Sequence, residues 1–222
     1  MSIVLVIIGL IVGGVLTGRE LIKSAKISKI VSRFNEYQTA VNSFQDKFGY
    51  LPGDFPDAIT HWPSLSGGAG SAAGNGNGYW DDPIYEGLGA WRHLSHAGMI
   101  KEDFTYTGYQ QYVTGSSLPE TQYGTRWHFI TQTITYYGRI LISGNALKIS
   151  DGNGTANSHW HFGIGPVDAK LVDIKMDDGK ALHGRLIGYS SSNNVCIDRA
   201  NPNADYYLDR TALGCQLSLK LY

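Results

Sequence analysis

The sequence contains little proline, which interrupts helices, and little cysteine, which can form disulfides. Only seven prolines and two cysteines occur among 222 residues, and no proline precedes Pro52. Charged residues make up 17% of the chain and the net charge is −1, so the composition suggests neither a broad nucleic-acid-binding surface nor an acidic tail. Glycine and tyrosine are abundant, with 28 and 14 residues, which favours a body rich in turns and strands.

The chain opens with an uncharged apolar stretch, residues 2–16, and Arg19 is the first charged residue. A helix of that length spans roughly 22 Å, less than the roughly 30 Å hydrocarbon core of a bilayer. A cleaved signal peptide has a basic region before its apolar region and an A-x-A-like site after it. Nothing basic precedes Ser2 and the residues after the stretch read G-R-E-L, so we expect the segment to be retained.

An amphipathic stripe continues the apolar opening without a break. Apolar residues recur three or four positions apart, with lysines, Arg33, Glu36 and Asp46 mostly between them, which predicts one helix from about Ser2 to about Lys47. The stripe consists of Leu21, Ala25, Ile27, Ile30, Val31, Phe34, Tyr37, Val41, Phe44 and Phe48. Gly49 supplies a C-terminal stop. We expect residues 2–16 to lie in lipid or among other helices, and residues 17–49 to pack on a globular domain.

Four glycines of the helix have the spacing that lets helix backbones approach closely. Gly9 and Gly13 are four residues apart, as are Gly14 and Gly18. Small residues at this spacing favour helix packing, although glycine is also simply tolerated in membrane helices. We therefore regard these four positions as candidate helix-packing residues.

Two stretches carry a resemblance to a known family. S-I-V-L-V-I-I-G-L-I-V-G-G-V-L at residues 2–16, followed by the amphipathic helix and by K-F-G-Y-L-P-G-D at residues 47–54, resembles the type IV pilins and type II secretion pseudopilins of bacteria. Members of that family begin with a basic leader, a glycine cleavage site and a start similar to F-T-L-I-E-L. Met1 stands where the last leucine of that start would be, and the family's glutamate has no counterpart. We expect this sequence to be truncated before the apolar stretch.

The resemblance implies an α+β, pilin-like fold with a long N-terminal helix on an antiparallel sheet and a disulfide-closed C-terminal loop. It divides the chain into the helix at residues 1–49, a glycine-rich variable loop at 50–90, and a β-rich head with short helices at 91–222. A disulfide between Cys196 and Cys215 would close the C-terminal loop, 196–215, and would contribute roughly 3 kcal/mol to stability. The alternative is two reduced, packed cysteines in a cytosolic protein.

Local patterns predict the elements of the head. The glycine-rich segment 67–78 is expected to be mobile unless a partner or an ion fixes it. A short helix is predicted at Ala90–Met99, with Trp91, Leu94 and Ala97 on its inner face. Alternation over Ile130–Tyr136 predicts a strand with one buried face.

Three further elements are predicted along the rest of the head. Gly144-Asn145 is predicted as the turn of a hairpin between strands 139–143 and 146–150. A helix is predicted to begin at Pro166 and to end at Asp177-Asp178-Gly179. Its inward residues are predicted to be Val167, Leu171 and Ile174. Alternation over residues 215–221 predicts a terminal strand.

The function implied by the resemblance is structural and not enzymatic. A pilin-like subunit is anchored in the bacterial inner membrane by a single pass, with its head in the periplasm, and assembles into a type IV pilus or type II secretion pseudopilus. Its partners would be other pilin or pseudopilin subunits, the assembly platform and the prepilin peptidase that processes the methylated amino terminus. The alternative is a membrane-anchored periplasmic binding or adhesin-like module that does not polymerise. Neither function needs nucleic acid.

No pattern in the sequence predicts a catalytic or cofactor-binding residue. His159 and His161 offer two ligands on one face of a strand, but a zinc site needs at least one more. No G-x-S-x-G elbow surrounds the serines at 190–192. The glycine-rich segment 67–78 lacks the lysine and hydroxyl residue of a phosphate-binding loop.

Two clusters of oxygen ligands are candidate calcium sites. Asp151 and Asn153 alternate in D-G-N-G-T, and Asp177 and Asp178 lie together before Gly179. Neither completes a twelve-residue calcium-binding loop. Asp-Gly pairs are also ordinary turn formers, so a turn without any ion is the alternative at both places.

Overall fold

One helix runs through about a fifth of the chain. The structure is a computed structural model that describes residues 2–66, 73–81, 85–104, 118–136, 138–150, 163–190, 195–198, 201 and 203–221. This helix, α1, spans Ser2–Phe48 and has 47 residues, which is about 70 Å of length. It ends where the sequence predicts. Gly49 adopts φ 76° and its amide donates to the carbonyl of Gln45 at 2.8 Å, a left-handed helix stop.

The second half of α1 forms one wall of the core. Its buried residues follow the spacing of one helix face and are Ile27, Ile30, Phe34, Tyr37, Ala40, Val41 and Phe44. Leu21, the first residue of the predicted stripe, is instead 66% exposed. The head therefore begins to cover the helix about two turns later than the sequence pattern indicates.

A four-stranded antiparallel sheet lies in the head, in the order β1-β2-β4-β3. Its strands are β1 (Arg126–Tyr136), β2 (Arg139–Ser150), β3 (Leu186–Tyr189) and β4 (Gln216–Lys220). The last strand of the chain is central, so Gln216 and Ser218 are buried along with Leu217 and Leu219. The long helix, the antiparallel sheet and the Cys196–Cys215 disulfide together make the α+β, pilin-like fold that the resemblance implies.

The predicted hairpin turn at Gly144-Asn145 is wrong. Strand β2 continues through both residues, and Gly144 and Asn145 pair with Gln132 and Thr131 of β1. Asn145 is buried and turns its side chain out of the hairpin, donating to the carbonyl of Gly78 at 2.8 Å. Contacts with a segment far along the chain thus hold these turn-forming residues in an extended strand.

The predicted strand around Ile130–Tyr136 exists, but its face toward the main core carries Trp127 and Phe129. Ile134, on the other face, packs instead on a small separate cluster formed by Ile142, Ala146 and Ile187. The sheet therefore has apolar contacts on both faces.

Three further α-helices lie in the described ranges, α2 (Ala58–His61), α3 (Glu86–His96) and α4 (Pro166–Met176), together with a 3₁₀ turn at Pro63–Leu65. Helix α3 begins four residues before the predicted start. Gly87 and Gly89 have low helix propensity, but both are buried, so packing against the rest of the head stabilises the first turn of the helix. Trp91 and Leu94 lie on its inner face as predicted.

Helix α4 has the predicted bounds but not the predicted inner face. Leu171 and Ile174 are 37% and 55% exposed. The buried side chains include Ala169, Val172 and the acid Asp173. Apolar periodicity predicts that an aspartate lies on the exposed face of the helix. Asp173 is buried because it has a partner elsewhere in the head, which the local pattern cannot show.

The core is dominated by aromatic contacts between α1, α3 and the sheet. The ring of Phe34 meets Trp127 edge-on with centroids 4.6 Å apart, and Tyr37 meets Trp91 in the same way at 4.7 Å. Trp91 in turn lies 4.4 Å from Phe129. Such pairs add about 1 kcal/mol each to the burial of their area.

A buried carboxylate fixes the end of the glycine-rich loop. Asp54 is 1% exposed, and its two oxygens accept the amides of Gly76 at 2.6 Å and Gly78 at 2.7 Å. Trp80 follows in the core, with its indole N–H donating to the carbonyl of Pro52 at 2.7 Å. Contacts within the protein therefore hold residues 73–81, whereas residues 67–72, the start of the segment predicted to be mobile, lie outside the described ranges.

Candidate functional site

The first half of α1 is an apolar helix that no other described part of the chain covers. Thirteen large aliphatic side chains between Ile3 and Ile22 are at least half exposed. They are Ile3, Val4, Leu5, Val6, Ile7, Ile8, Leu10, Ile11, Val12, Val15, Leu16, Leu21 and Ile22. We call residues 3–22 the apolar segment.

The exposed area of the apolar segment is too large for a stable state in water. Fully burying one large aliphatic side chain is worth about 1.5–3 kcal/mol, so covering thirteen side chains that are 50–76% exposed is worth on the order of 10–20 kcal/mol. That is as large as the net stability of a typical domain, about 5–15 kcal/mol. Lipid or other apolar helices would cover this surface and remove that cost.

The apolar segment has the length of a membrane span. Residues 2–16 alone are short, but the exposed apolar surface continues through Leu21 and Ile22, so its twenty residues reach about 30 Å. Arg19 and Glu20 are its only charged residues. By length and composition α1 qualifies as a single membrane-crossing helix.

All four candidate helix-packing glycines lie in this segment. A Cβ added at Gly9, Gly13, Gly14 or Gly18 would meet no atom within 4 Å. No described part of the same chain therefore uses their flat surface, which is open to lipid or to another helix.

Polar contacts between α1 and α4 mark the start of the head. Lys23 Nζ lies 3.0 Å from Asp168 Oδ1, and Tyr123 donates its hydroxyl to the other oxygen of Asp168 at 2.8 Å. Lys175 Nζ donates to Ser28 Oγ at 3.0 Å. The cationic residues after the apolar segment are thus partly engaged by the head.

The C-terminal loop is closed by the predicted disulfide. Cys196 and Cys215 are bonded to each other, which leaves the chain without a free thiol. Both cysteines are fully buried, and Tyr207 donates its amide to the carbonyl of Cys196 at 2.9 Å. The bond anchors the loop directly before β4.

An acidic cluster lies at the end of α4. Asp173, Asp177 and Asp178 each place a carboxylate oxygen within 4.8 Å of the others. The sequence pointed to Asp177 and Asp178 but missed Asp173, which lies one helical turn earlier. Two acids four residues apart on a helix share a face, and this spacing was the available signal.

The environment of Asp173 is unusual for a carboxylate. Its side chain is fully buried, and burial raises its pKa to about 7, with the nearby carboxylates adding to the effect and a hydrogen bond from Tyr206 opposing it. The Tyr206 hydroxyl donates to Asp173 Oδ2 at 2.9 Å. Burial also raises the pKa of the Tyr206 hydroxyl well above its usual value.

Several residues named from the sequence fall outside the described ranges. They are Asp151, Asn153, His159 and His161. The structure therefore does not test the first calcium candidate or the histidine pair.

Comparison with known proteins gives no relative: no family model matches the chain, and no curated protein or solved structure shows significant similarity to it. The likeness to pilins rests on the chain's own residues and on the fold described above.

Proposed function

We propose that this protein is a pilin-like structural subunit, held in the bacterial inner membrane by the apolar segment and assembled through it into a type IV pilus or a type II secretion pseudopilus. One observation carries the proposal. A single uninterrupted helix is apolar and exposed all round in its first half and is the core of a disulfide-closed head in its second half.

Such a helix suits a subunit that moves between two apolar environments. The same side chains that are solvated by lipid in the membrane would be buried by neighbouring helices in a filament. The transfer free energy then nearly cancels, because lipid tails and aliphatic side chains are similarly apolar. An assembly machine would need to supply little net energy per subunit to extract the helix.

Close packing of neighbouring helices is supported by the open glycine surface. A Cβ added at Gly9, Gly13, Gly14 or Gly18 would meet no atom of the described residues within 4 Å, and small residues at four-residue spacing let two backbones approach. The two pairs lie on different sides of the helix, and we assign the contact between subunits to the side that carries Gly9 and Gly13.

Cross-linking in the native host tests this assignment. Because both native cysteines are in the disulfide, Val12→Cys introduces the only thiol, on the apolar segment. One thiol can form a disulfide with only one other thiol, so mild oxidation should give covalent dimers. When Gly9 and Gly13 are both replaced by leucine, a bifunctional thiol reagent should no longer trap dimers. Ser66→Cys, an exposed position on the head, controls for random collision.

Electron microscopy of the same strains provides the readout for polymerisation. Filaments that carry the protein support the proposal. A protein that is extracted only by detergent but stays monomeric, with the assembly machinery present, would favour the anchored binding module. A protein that is released by alkaline carbonate would refute membrane anchoring altogether. Mass spectrometry of the native amino-terminal peptide would show whether a processed, methylated residue precedes Ser2.

A further inference from the structure

We infer that Asp173, Asp177 and Asp178 form a calcium-binding site at the junction of α4 and β3. One oxygen from each carboxylate lies within 4.8 Å of the other two. Calcium binds oxygen ligands at 2.3–2.6 Å, so oxygens on opposite sides of one ion are about 4.6–5.2 Å apart. The three carboxylates are thus already gathered at the separation that a shared calcium ion requires.

Asp173 supplies an observation independent of the clustering. Its side chain is 0% exposed, and Oδ1 has no hydrogen-bond partner. The Gly179 amide lowers the pKa of the Asp173 carboxyl, but it is not in hydrogen-bond geometry with Oδ1. A buried carboxylate oxygen without a partner is costly, and a bound cation would satisfy it.

The other two acids are oriented by the backbone and keep one oxygen each for an ion. Asp177 Oδ2 accepts the amides of Arg185 and Leu186, and Asp178 Oδ1 accepts the amide of Lys180. Their remaining oxygens accept no hydrogen bond from any residue in the described ranges. The carboxylates are therefore held in place while part of their coordinating capacity stays open.

No positive side chain in the described ranges forms an ion pair with the cluster. The ion pairs formed within the described part of the chain involve Asp168, Glu36, Glu102 and Asp205, and none includes an acid of the cluster. Three carboxylates at this separation repel each other strongly in a partly buried site. A divalent cation is the ligand that removes this repulsion and the orphaned oxygen together.

Calcium fits the cluster better than magnesium. Magnesium requires near-octahedral oxygens at about 2.0–2.1 Å and is usually bound through one or two carboxylates, whereas this cluster gathers three. Calcium accepts irregular sites with 6–8 oxygens, and water would complete the shell around three carboxylates. Few protein ligands imply a dissociation constant of about 10⁻⁴–10⁻³ M.

Calcium binding to the full-length protein in detergent tests the inference. Equilibrium dialysis with radioactive calcium should give one ion per chain, and magnesium should compete weakly. Tb³⁺ should bind in its place and show emission sensitised by the phenol of Tyr206, which calcium should quench by displacement.

Two variants separate binding from folding. Asp178→Asn changes an exposed side chain and should weaken calcium binding at least tenfold without altering the circular dichroism spectrum. Asp173→Asn should weaken it similarly if the variant folds. Asp46→Asn, an exposed acid on α1, should bind calcium as the native protein does.

The inference is overturned by either of two results. One is the lack of saturable calcium binding up to about 10 mM, tenfold above the weakest expected constant. The other is calcium binding that Asp178→Asn leaves unchanged, since the ion would then lie elsewhere. Neither result bears on filament assembly, which depends on the apolar segment.

Discussion

Replacing Asp54 with alanine should release the end of the glycine-rich loop and destabilise the head. The native carboxylate is 1% exposed and accepts the amides of Gly76 and Gly78 at 2.6 and 2.7 Å. Hydrogen bonds to a charged group contribute about 1.5–3 kcal/mol each. Both glycines lie near the surface, so water can solvate the freed amides, and the lower value applies to each. We expect a loss of about 3 kcal/mol.

Equilibrium urea unfolding, followed by tryptophan fluorescence of the full chain in detergent, measures this loss. Asp57→Ala is the matched control, because Asp57 lies three residues away, is exposed, and makes no side-chain cap to α2. That variant should unfold within about 0.5 kcal/mol of the native protein, as surface changes usually do.

Limited proteolysis adds a local readout of the same change. Tyr79 is 50% exposed and directly follows the segment that Asp54 holds. Chymotrypsin should therefore cut after Tyr79 faster in Asp54→Ala than in Asp57→Ala under native conditions. If the two variants share the native stability and cleavage rate, the carboxylate does not hold the loop and the reasoning is refuted.

Three other changes test the head. Replacing Cys196 and Cys215 with serine should cost about 3 kcal/mol on the loop-entropy model, measured by urea unfolding against the native protein with its disulfide intact; native protein treated with reductant should unfold with the variant, and a variant midpoint equal to that of the disulfide-bonded protein would contradict the prediction. Phe34→Ala removes a fully buried ring that meets Trp127 edge-on and should cost about 3–5 kcal/mol in the same assay, and a loss below about 1 kcal/mol would refute this packing. Burial, aided by nearby cations, lowers the pKa of His128 to about 3. Below about pH 6.5 the imidazole therefore binds a proton in the unfolded chain but stays neutral in the folded protein. Stability should therefore be complete above that pH and fall toward pH 3 by up to about 1.4 kcal/mol per unit, and His128→Gln should flatten that fall between pH 6.5 and 4.5.

The long helix could be predicted because its signals are local. The absence of proline, the apolar spacing from Ile27 to Phe44 and the stop at Gly49 all lie within one continuous stretch. The structure reproduces both ends of the helix. It corrects only the point where the head begins to cover the stripe, because that depends on where α4 packs.

The misplaced hairpin shows where local signals fail. Gly144-Asn145 carries the chemistry of a two-residue turn, but Asn145 hydrogen-bonds Thr131 across the sheet and Gly78 far along the chain. Nothing near Asn145 in sequence reveals those partners. Strand β1 instead ends at Tyr136, and β2 begins at Arg139.

The acidic cluster was half predictable for the same reason. Asp177 and Asp178 stand before Gly179, a visible turn motif. Asp173 sits where helix periodicity places an outward residue, and its burial depends on Tyr206 from the C-terminal loop. A buried acid is determined by tertiary contacts, so a single sequence does not show it.

The continuity of α1 has a mechanical consequence. The same backbone that forms the apolar segment also carries the core residues Ile27 to Phe44, with no proline between them. Tension applied along the helix therefore reaches the core as shear, and many side-chain contacts must slide at once before the head yields. A head attached by a separate linker would instead open one contact at a time, at a lower load.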